Sequence, residues 1–331
     1  MRRPRRRPVF LSSTAKGSSV TDFIYGPVPS RRLGVSLGLD VVPAKVCSLN
    51  CVYCQLGPTA TPQTRRRRFF ATDVFFNRLE RRAPELPQLD YATFAGSGEP
   101  TLNADLGALI RGAAQRLDAP TCVITNGTLT TDPELRRELS AADLLLPSLD
   151  AADQPTFQRI NRPAAGLEID AIIEGLSALR RESSGRFWLE IMLVAGLNDN
   201  EQHLEKLRDA VERIDPDLVQ LNTVVRPPAE ENARPLEPQH LREIAATFDH
   251  PVEVIAGFHG ATTKHRALDL EREVLTYLGR RPGRVEDLAA MLGQPAEAVA
   301  GALKQLVSAG RVRLRRMEAG DFYVPRRNAP E

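Results

Sequence analysis

Cys47-Ser-Leu-Asn-Cys51-Val-Tyr-Cys54 places three thiols within eight residues, and the chain of 331 residues has only one further cysteine. Thiolates spaced this way on a short loop can converge on one soft metal centre. They supply three ligands, whereas a cubane cluster has four irons. One iron then stays open to a ligand from outside the protein, and an open coordination position marks chemistry more than a structural clip. Zinc binding and simple burial are the competing readings. A structural zinc asks for a fourth protein ligand, and no His or Cys lies nearby in sequence.

Outward from this stretch the chain alternates strand-like and helix-like segments. Apolar residues run from Ser36 through Leu37-Gly-Leu-Asp-Val-Val42 and stop at Pro43, which predicts a buried strand feeding straight into the cysteine loop. Further strands are expected at 91–95, 121–125, 143–149, 187–194, 218–225 and 252–255. Helices are expected near 72–82, with Thr72 as N-cap, and near 104–117, 132–140, 168–181, 201–214 and 237–248. Short apolar strands alternating with helices imply parallel pairing and right-handed crossovers. The expected fold is α/β, a partial (β/α)6-type TIM-like barrel with a possible seventh strand, its chemistry at the carboxyl ends of the strands.

The cysteine spacing, Cys-x3-Cys-x-aromatic-Cys with Tyr53 as the aromatic, resembles the signature of radical S-adenosylmethionine (SAM) enzymes. Gly26-Pro-Val-Pro-Ser-Arg-Arg-Leu-Gly34 and Cys54-Gln-Leu-Gly57 are similar to a branch of that superfamily related to the wyosine-forming tRNA enzymes. The resemblance covers about 22–265. It implies that Cys47, Cys51 and Cys54 hold a [4Fe–4S] cluster whose open iron chelates the amino and carboxylate groups of SAM. It also implies reductive cleavage of SAM to methionine and a 5′-deoxyadenosyl radical, which takes hydrogen from an unactivated carbon. A flavodoxin- or ferredoxin-type electron donor follows from the same resemblance, as does a place for Tyr53 beside the adenine.

Gly96-Ser97-Gly98-Glu99-Pro100-Thr101 closes the second strand. Its glycines allow close backbone approach, and its carboxylate can accept from an amine. The segment resembles the family's Gly-Gly-Glu-Pro motif, which holds the SAM amino group, with serine at 97 in place of the second glycine. Asn126, Ser148 and Asp150 end the next two strands and Asn222 lies on the sixth. They are candidates for the ribose and carboxylate of SAM, and the first three read equally well as caps on following helices. Glu190, on the fifth strand, is either catalytic or half of an inward ion pair. Arg31 and Arg32 either grip an anionic substrate or brace the barrel. His259 falls near the expected barrel mouth as a candidate substrate contact.

With 42% hydrophobic and 26% charged residues the composition is that of an ordinary globular protein. A net charge of +2 conceals two basic runs, at Arg2–Arg7 and Arg65–Arg68. Few cysteines, mostly clustered, point to a reducing compartment, and no apolar stretch is long enough to cross a membrane. Arg6-Arg7 resembles a twin-arginine export signal, but a polar Ser12–Ser19 stretch follows where export needs an apolar core. Residues 1–20 therefore read as a disordered basic tail, 21–265 as the core domain, and the expected compartment is the cytoplasm. Cys122 alone cannot support an all-cysteine second cluster, which counts against a simple transfer of wyosine synthesis.

From 266 onward, helices near 269–278, 285–292 and 296–309 and a ribbon through Arg311–Arg316 and Phe322–Val324 read as a winged-helix-like domain. Its third helix exposes few basic residues. The substrate is expected to be RNA, suggested by the arginine runs and the wyosine kinship, or a peptide or protein, which such modules also dock. The alternative reading is an iron–sulfur redox-sensing DNA-binding regulator, whose recognition helix should be strongly basic.

Overall fold

Apolar runs bounded by glycine and proline become the strands of one sheet. The structure, a computed structural model, describes residues 23–30, 32–255 and 270–326. β1 (Ile24–Ser30) and β2 (Gly34–Leu39) come first, then α1 (Thr72–Arg82), β3 (Tyr91–Phe94), α2 (Leu106–Ala114), β4 (Thr121–Thr125) and α3 (Pro133–Leu139). β5 (Leu144–Pro147), α4 (Gln154–Ile160), α5 (Ile169–Glu182) and β6 (Arg186–Leu193) follow. α6 (Glu201–Ile214), β7 (Leu218–Thr223), α7 (Pro238–Ala245) and β8 (Val252–Val254) complete the sheet region.

Among the described residues eight strands pair in chain order, parallel from β2 to β8, with β1 antiparallel on β2. This is the expected partial TIM-like barrel, and β8 is its seventh parallel strand. β3 and β5 are buried along their whole length because helices cover one face and the barrel interior the other. The helical period matches: α5 buries Ile169, Ile172, Ile173, Leu176 and Leu179 on one face.

Two elements lie where neither strand nor helix is expected, and one cap is corrected. β1 went unread because Pro27 and Pro29 argue against a strand, yet it lies at the sheet edge, where missing N–H donors are tolerated. α4 is only seven residues long, too short to show a helical period, and is capped by Asp153, which accepts from Thr156 N. Thr72 is not the N-cap of α1; Ala71 occupies that position without a side-chain bond.

The chain continues with α8 (Leu270–Leu278), α9 (Val285–Leu292), α10 (Ala296–Ser308) and an antiparallel ribbon of β9 (Val312–Met317) and β10 (Gly320–Pro325). Val274, Tyr277, Leu288, Leu303 and Leu306 form its core, which also takes in Val28 of β1. The unit thus covers the antiparallel edge of the sheet, an edge that would otherwise present unpaired backbone. No helix of the described residues is long and apolar enough to cross a membrane. The basic tail, Arg31 and His259 lie outside the described residues.

Candidate active site

The cysteine loop runs from the end of β2 and is pinned on two sides by backbone bonds. Toward β3, Lys45 N donates to Ser97 O (2.7 Å) and Glu99 N donates to Val46 O (2.9 Å). Toward α4, Val52 N donates to Ile160 O (2.9 Å), Asn50 N to Asn161 O (2.9 Å) and Ala164 N to Ser48 O (2.8 Å). These bonds hold the three thiols against the carboxyl ends of the strands, where all three line one cavity of ≈ 390 Å³.

Each thiol sulfur receives N–H donors. Leu49 N and Asn126 Nδ2 approach Cys47 Sγ at 3.4 and 3.5 Å, Asn161 Nδ2 approaches Cys51 Sγ at 3.4 Å, and Lys45 Nζ approaches Cys54 Sγ at 3.2 Å. Burial first, then the Glu99 charge, pushes the Cys47 thiol up to about 12. Burial likewise raises Cys51. Among the described residues no three His, Cys, Asp or Glu side chains close around a single metal ion.

The β3 exit is built for close approach. A Cβ on Gly96, whose φ is +152°, meets Asp40 Cγ at 2.5 Å, and one on Gly98 meets Val46 O at 2.1 Å. Ser97 is fastened to buried Asp40, its N donating at 3.1 Å and its Oγ at 2.5 Å to Oδ2. The serine that departs from the double glycine therefore has a partner of its own. Glu99 is 3% exposed, and its Oε1 accepts from Thr101 N (3.1 Å), Thr101 Oγ1 (2.7 Å) and Thr125 Oγ1 (2.6 Å). Its Oε2 accepts from Asn126 N at 2.8 Å. Burial raises the Glu99 pKa, and these bonds act against that rise.

The remaining candidates form two networks. In the first, Tyr53 OH donates to Asp150 Oδ2, which also accepts from Asn161 Nδ2 (2.7 Å), while Asp150 Oδ1 accepts from Met192 N (3.0 Å). Burial lifts Asp150 to about 6. In the second, Glu190 pairs with Arg32 (2.7 Å) and accepts from Asn222 Nδ2 (2.8 Å) and Ser148 Oγ (3.4 Å). Asn126 spends its Nδ2 on Ser48 Oγ (2.9 Å) and Cys47, and its Oδ1 on Thr128 N (3.1 Å). Ser148 and Asp150 cap no helix, since Asp153 caps α4. Cys122 is a buried free thiol in β4.

Several cavity residues carried no local sequence signal. Lys45 and Asn161 acquire their roles only through partners brought in from other elements, as does Asp40 behind the cavity wall. So do Arg226, after β7, and Arg280 and Arg281, after α8, which line the same cavity. Arg280 lies 3.6 Å from Asp40 Oδ2 and stacks 4.5 Å above the Tyr25 ring.

Residues 41–210 match the family described as the Radical SAM superfamily. The chain is 36% identical over 312 residues to a protein named GTPase Obg from Brachyspira hyodysenteriae, covering 93% of this chain but only 46% of that protein's length. It is 31% identical over 277 residues to a UPF0026 protein of Methanocaldococcus jannaschii, covering 82% of this chain and 86% of that protein. Among solved structures, native anSMEcpe with bound AdoMet superposes with a TM-score of 0.50 and 16% identity, over 66% of this chain and 63% of that one, a likeness of fold.

Proposed function

The chain belongs to the radical SAM superfamily, and on that footing we propose that its cavity binds and reductively cleaves SAM, with Cys47, Cys51 and Cys54 as cluster ligands. Enzymes of this family use a [4Fe–4S] cluster and SAM, and this protein is such an enzyme. The residues present fit the group. Three soft thiols share one cavity, and each has an N–H donor able to stabilise a charged sulfur. Ligands that each meet a different iron need not close around one ion. Burial raises the Cys47 and Cys51 thiols, so metal loading releases protons from them. When bound, the cluster supplies the electron that splits SAM into methionine and a 5′-deoxyadenosyl radical.

One observation carries the reading: Glu99 is buried in the same cavity and its carboxylate is almost fully hydrogen-bonded. A carboxylate has about four acceptor directions, two on each oxygen. Among the described residues Oε1 is saturated, whereas Oε2 takes only Asn126 N. That leaves Oε2 one direction for the SAM ammonium, held rigid before the ligand arrives. Tyr53, Asp150 and Asn161 fix the cysteine loop to β5 and α4, and the cavity walls keep water from a reactive radical. Ser148, Glu190 and Asn222 bound the substrate side.

The reducing electron comes from a flavodoxin- or ferredoxin-type donor. The C-terminal unit serves as a winged-helix-like substrate-docking module. α10 has Lys304 as its one basic side chain, which disfavours the DNA-binding regulator. The chain has no Gly-Lys pair and hence no phosphate loop of the P-loop type, so GTP hydrolysis does not enter the reading.

The test is anaerobic: reconstitute the cluster, add SAM and dithionite, and quantify 5′-deoxyadenosine. Wild type is expected to form it, Cys51→Ala to form none, and Glu99→Gln to bind SAM roughly 10- to 100-fold more weakly, the scale of a lost charge-assisted bond. No product from a spectroscopically intact cluster, or equal product from Cys51→Ala, overturns the reading.

A further inference from the structure

The charges lining the cavity do not balance evenly. Arg32 is paired with Glu190, Lys45 bonds Cys54, and Arg280 approaches Asp40. Arg226 and Arg281 are different. Neither has an ion-pair partner among the described residues, although both line the cavity. The acid nearest in influence, Asp287, is already committed to Arg284 at 3.1 Å.

Both guanidinium groups are nevertheless held in place. Arg226 donates to Gln55 Oε1 (3.1 Å), the residue that directly follows Cys54. Arg281 stacks 4.5 Å above the Tyr277 ring. Both line the one cavity, and burial first, then the Arg281 charge, lowers Arg226 to about 10. Holding two like charges in a partly dry cavity is costly unless an anion is brought to them.

We infer that Arg226 and Arg281 form an oxyanion subsite shared between the barrel and the C-terminal unit, and that it takes a phosphate group of the substrate. The inference rests on the radical SAM reading of the cavity and names the class of substrate that reading lacks. Two planar forks match a phosphate ester, whose several oxygens accept bidentate bonds from both, better than a single carboxylate. A basic path also leads outward. Arg315 of β9 donates to Pro228 O (3.0 Å), two residues beyond Arg226, and Arg313 and Arg316 of the same strand are exposed. The phosphate can therefore belong to a small phosphorylated molecule or to a nucleic-acid backbone.

The test uses the full chain with its cluster reconstituted and SAM present. Calorimetry compares ribose 5-phosphate with ribose, and fluorescence anisotropy follows a labelled single-stranded RNA of 12 nucleotides, with an acidic 12-residue peptide as competitor. Phosphate probes are expected to bind, ribose not to bind, and Arg281→Ala and Arg226→Ala each to weaken binding by about tenfold or more, with Arg281→Lys losing less. Arg281 lies outside the cysteine loop, so its variant serves even if Arg226→Ala perturbs that loop through Gln55. RNA that competes with ribose 5-phosphate and loses affinity steeply with salt assigns the group to a nucleic acid; ribose 5-phosphate binding alone assigns it to a small molecule. Either supports the subsite. It is overturned if neither phosphate probe binds, if both alanine variants bind as wild type does, if only the acidic peptide binds, or if the variants lose SAM affinity instead. 5′-Deoxyadenosine measured in the same samples reports separately on the radical reading.

Discussion

Replacing Gly98 by alanine should damage the site through one backbone atom. The added Cβ falls 2.1 Å from Val46 O and 3.0 Å from Val46 C, so the pair must separate by more than about 1 Å to reach ordinary contact. Val46 O is the acceptor for Glu99 N at 2.9 Å, and the neighbouring bond from Lys45 N to Ser97 O spans 2.7 Å. Separation breaks both bonds in a place that water reaches poorly. At about 1–3 kcal/mol for each of the two buried bonds lost, the loss is about 2–6 kcal/mol. At about 2–3 °C per kcal/mol in a chain of this size, Tm falls by about 4–18 °C. Val46 precedes Cys47, so bound iron should fall as well. Circular dichroism melts and iron content after anaerobic reconstitution read the two effects. Gly301→Ala is the control: it lies in α10 with nothing within 4 Å of its Cβ, and should gain up to about 1 kcal/mol from helix propensity. Gly98→Ala with wild-type Tm and full iron content would refute the claim that this glycine is required by close packing.

Four further outcomes are expected. Ser97→Gly and Asp40→Asn should show a coupling energy of about 1–2 kcal/mol in a double-mutant cycle read by urea unfolding, and zero coupling would mean that Ser97 does not depend on Asp40. Arg32→Met should destabilise by about 3–5 kcal/mol, with Arg32→Met/Glu190→Met recovering most of that. Glu190→Gln should keep forming 5′-deoxyadenosine, and its loss from a protein that still holds cluster and SAM would place Glu190 in the chemistry. Asp150 has its pKa lifted by burial from 3.8 to about 6, so between those values the folded chain keeps a proton that the unfolded chain releases. Stability from this group therefore rises as pH falls through that window, by up to about 3 kcal/mol. Urea midpoints of the cluster-free chain at stepped pH should show it, and Asp150→Asn should flatten the slope.

Much of the parallel sheet was legible because a strand covered on both faces is apolar along its length and stops at glycine or proline, as 91–94 and 144–147 do. The cysteine loop and Gly96–Glu99 could be singled out because their signals are local, with three thiols and two close-approach glycines each a few residues apart, and both stretches line one cavity. What stayed hidden depends on partners remote in sequence. Asn161 reaches Cys51 across 110 residues and Arg226 reaches Gln55 across 171, and no pattern within either segment marks the contact. β1 was hidden for the opposite reason, since its prolines carry a true local signal that the edge position overrides.

The cavity has a polarity that single residues do not reveal. Glu99 and Asp150 follow β3 and β5, and Glu190 lies within β6, each held by hydrogen bonds from neighbouring elements. Arg226 follows β7, and Arg280 and Arg281 enter from the C-terminal unit. On the proposed reading the SAM ammonium meets Glu99 beside the cysteine loop, Glu190 borders the substrate, and the phosphate of an anionic substrate goes to the arginines. Removing the C-terminal unit would take two of these arginines from the cavity as well as the cover from β1. If the substrate carries the proposed phosphate, the unit is a wall of its site, because the positive side of the cavity is complete only with Arg280 and Arg281 in place.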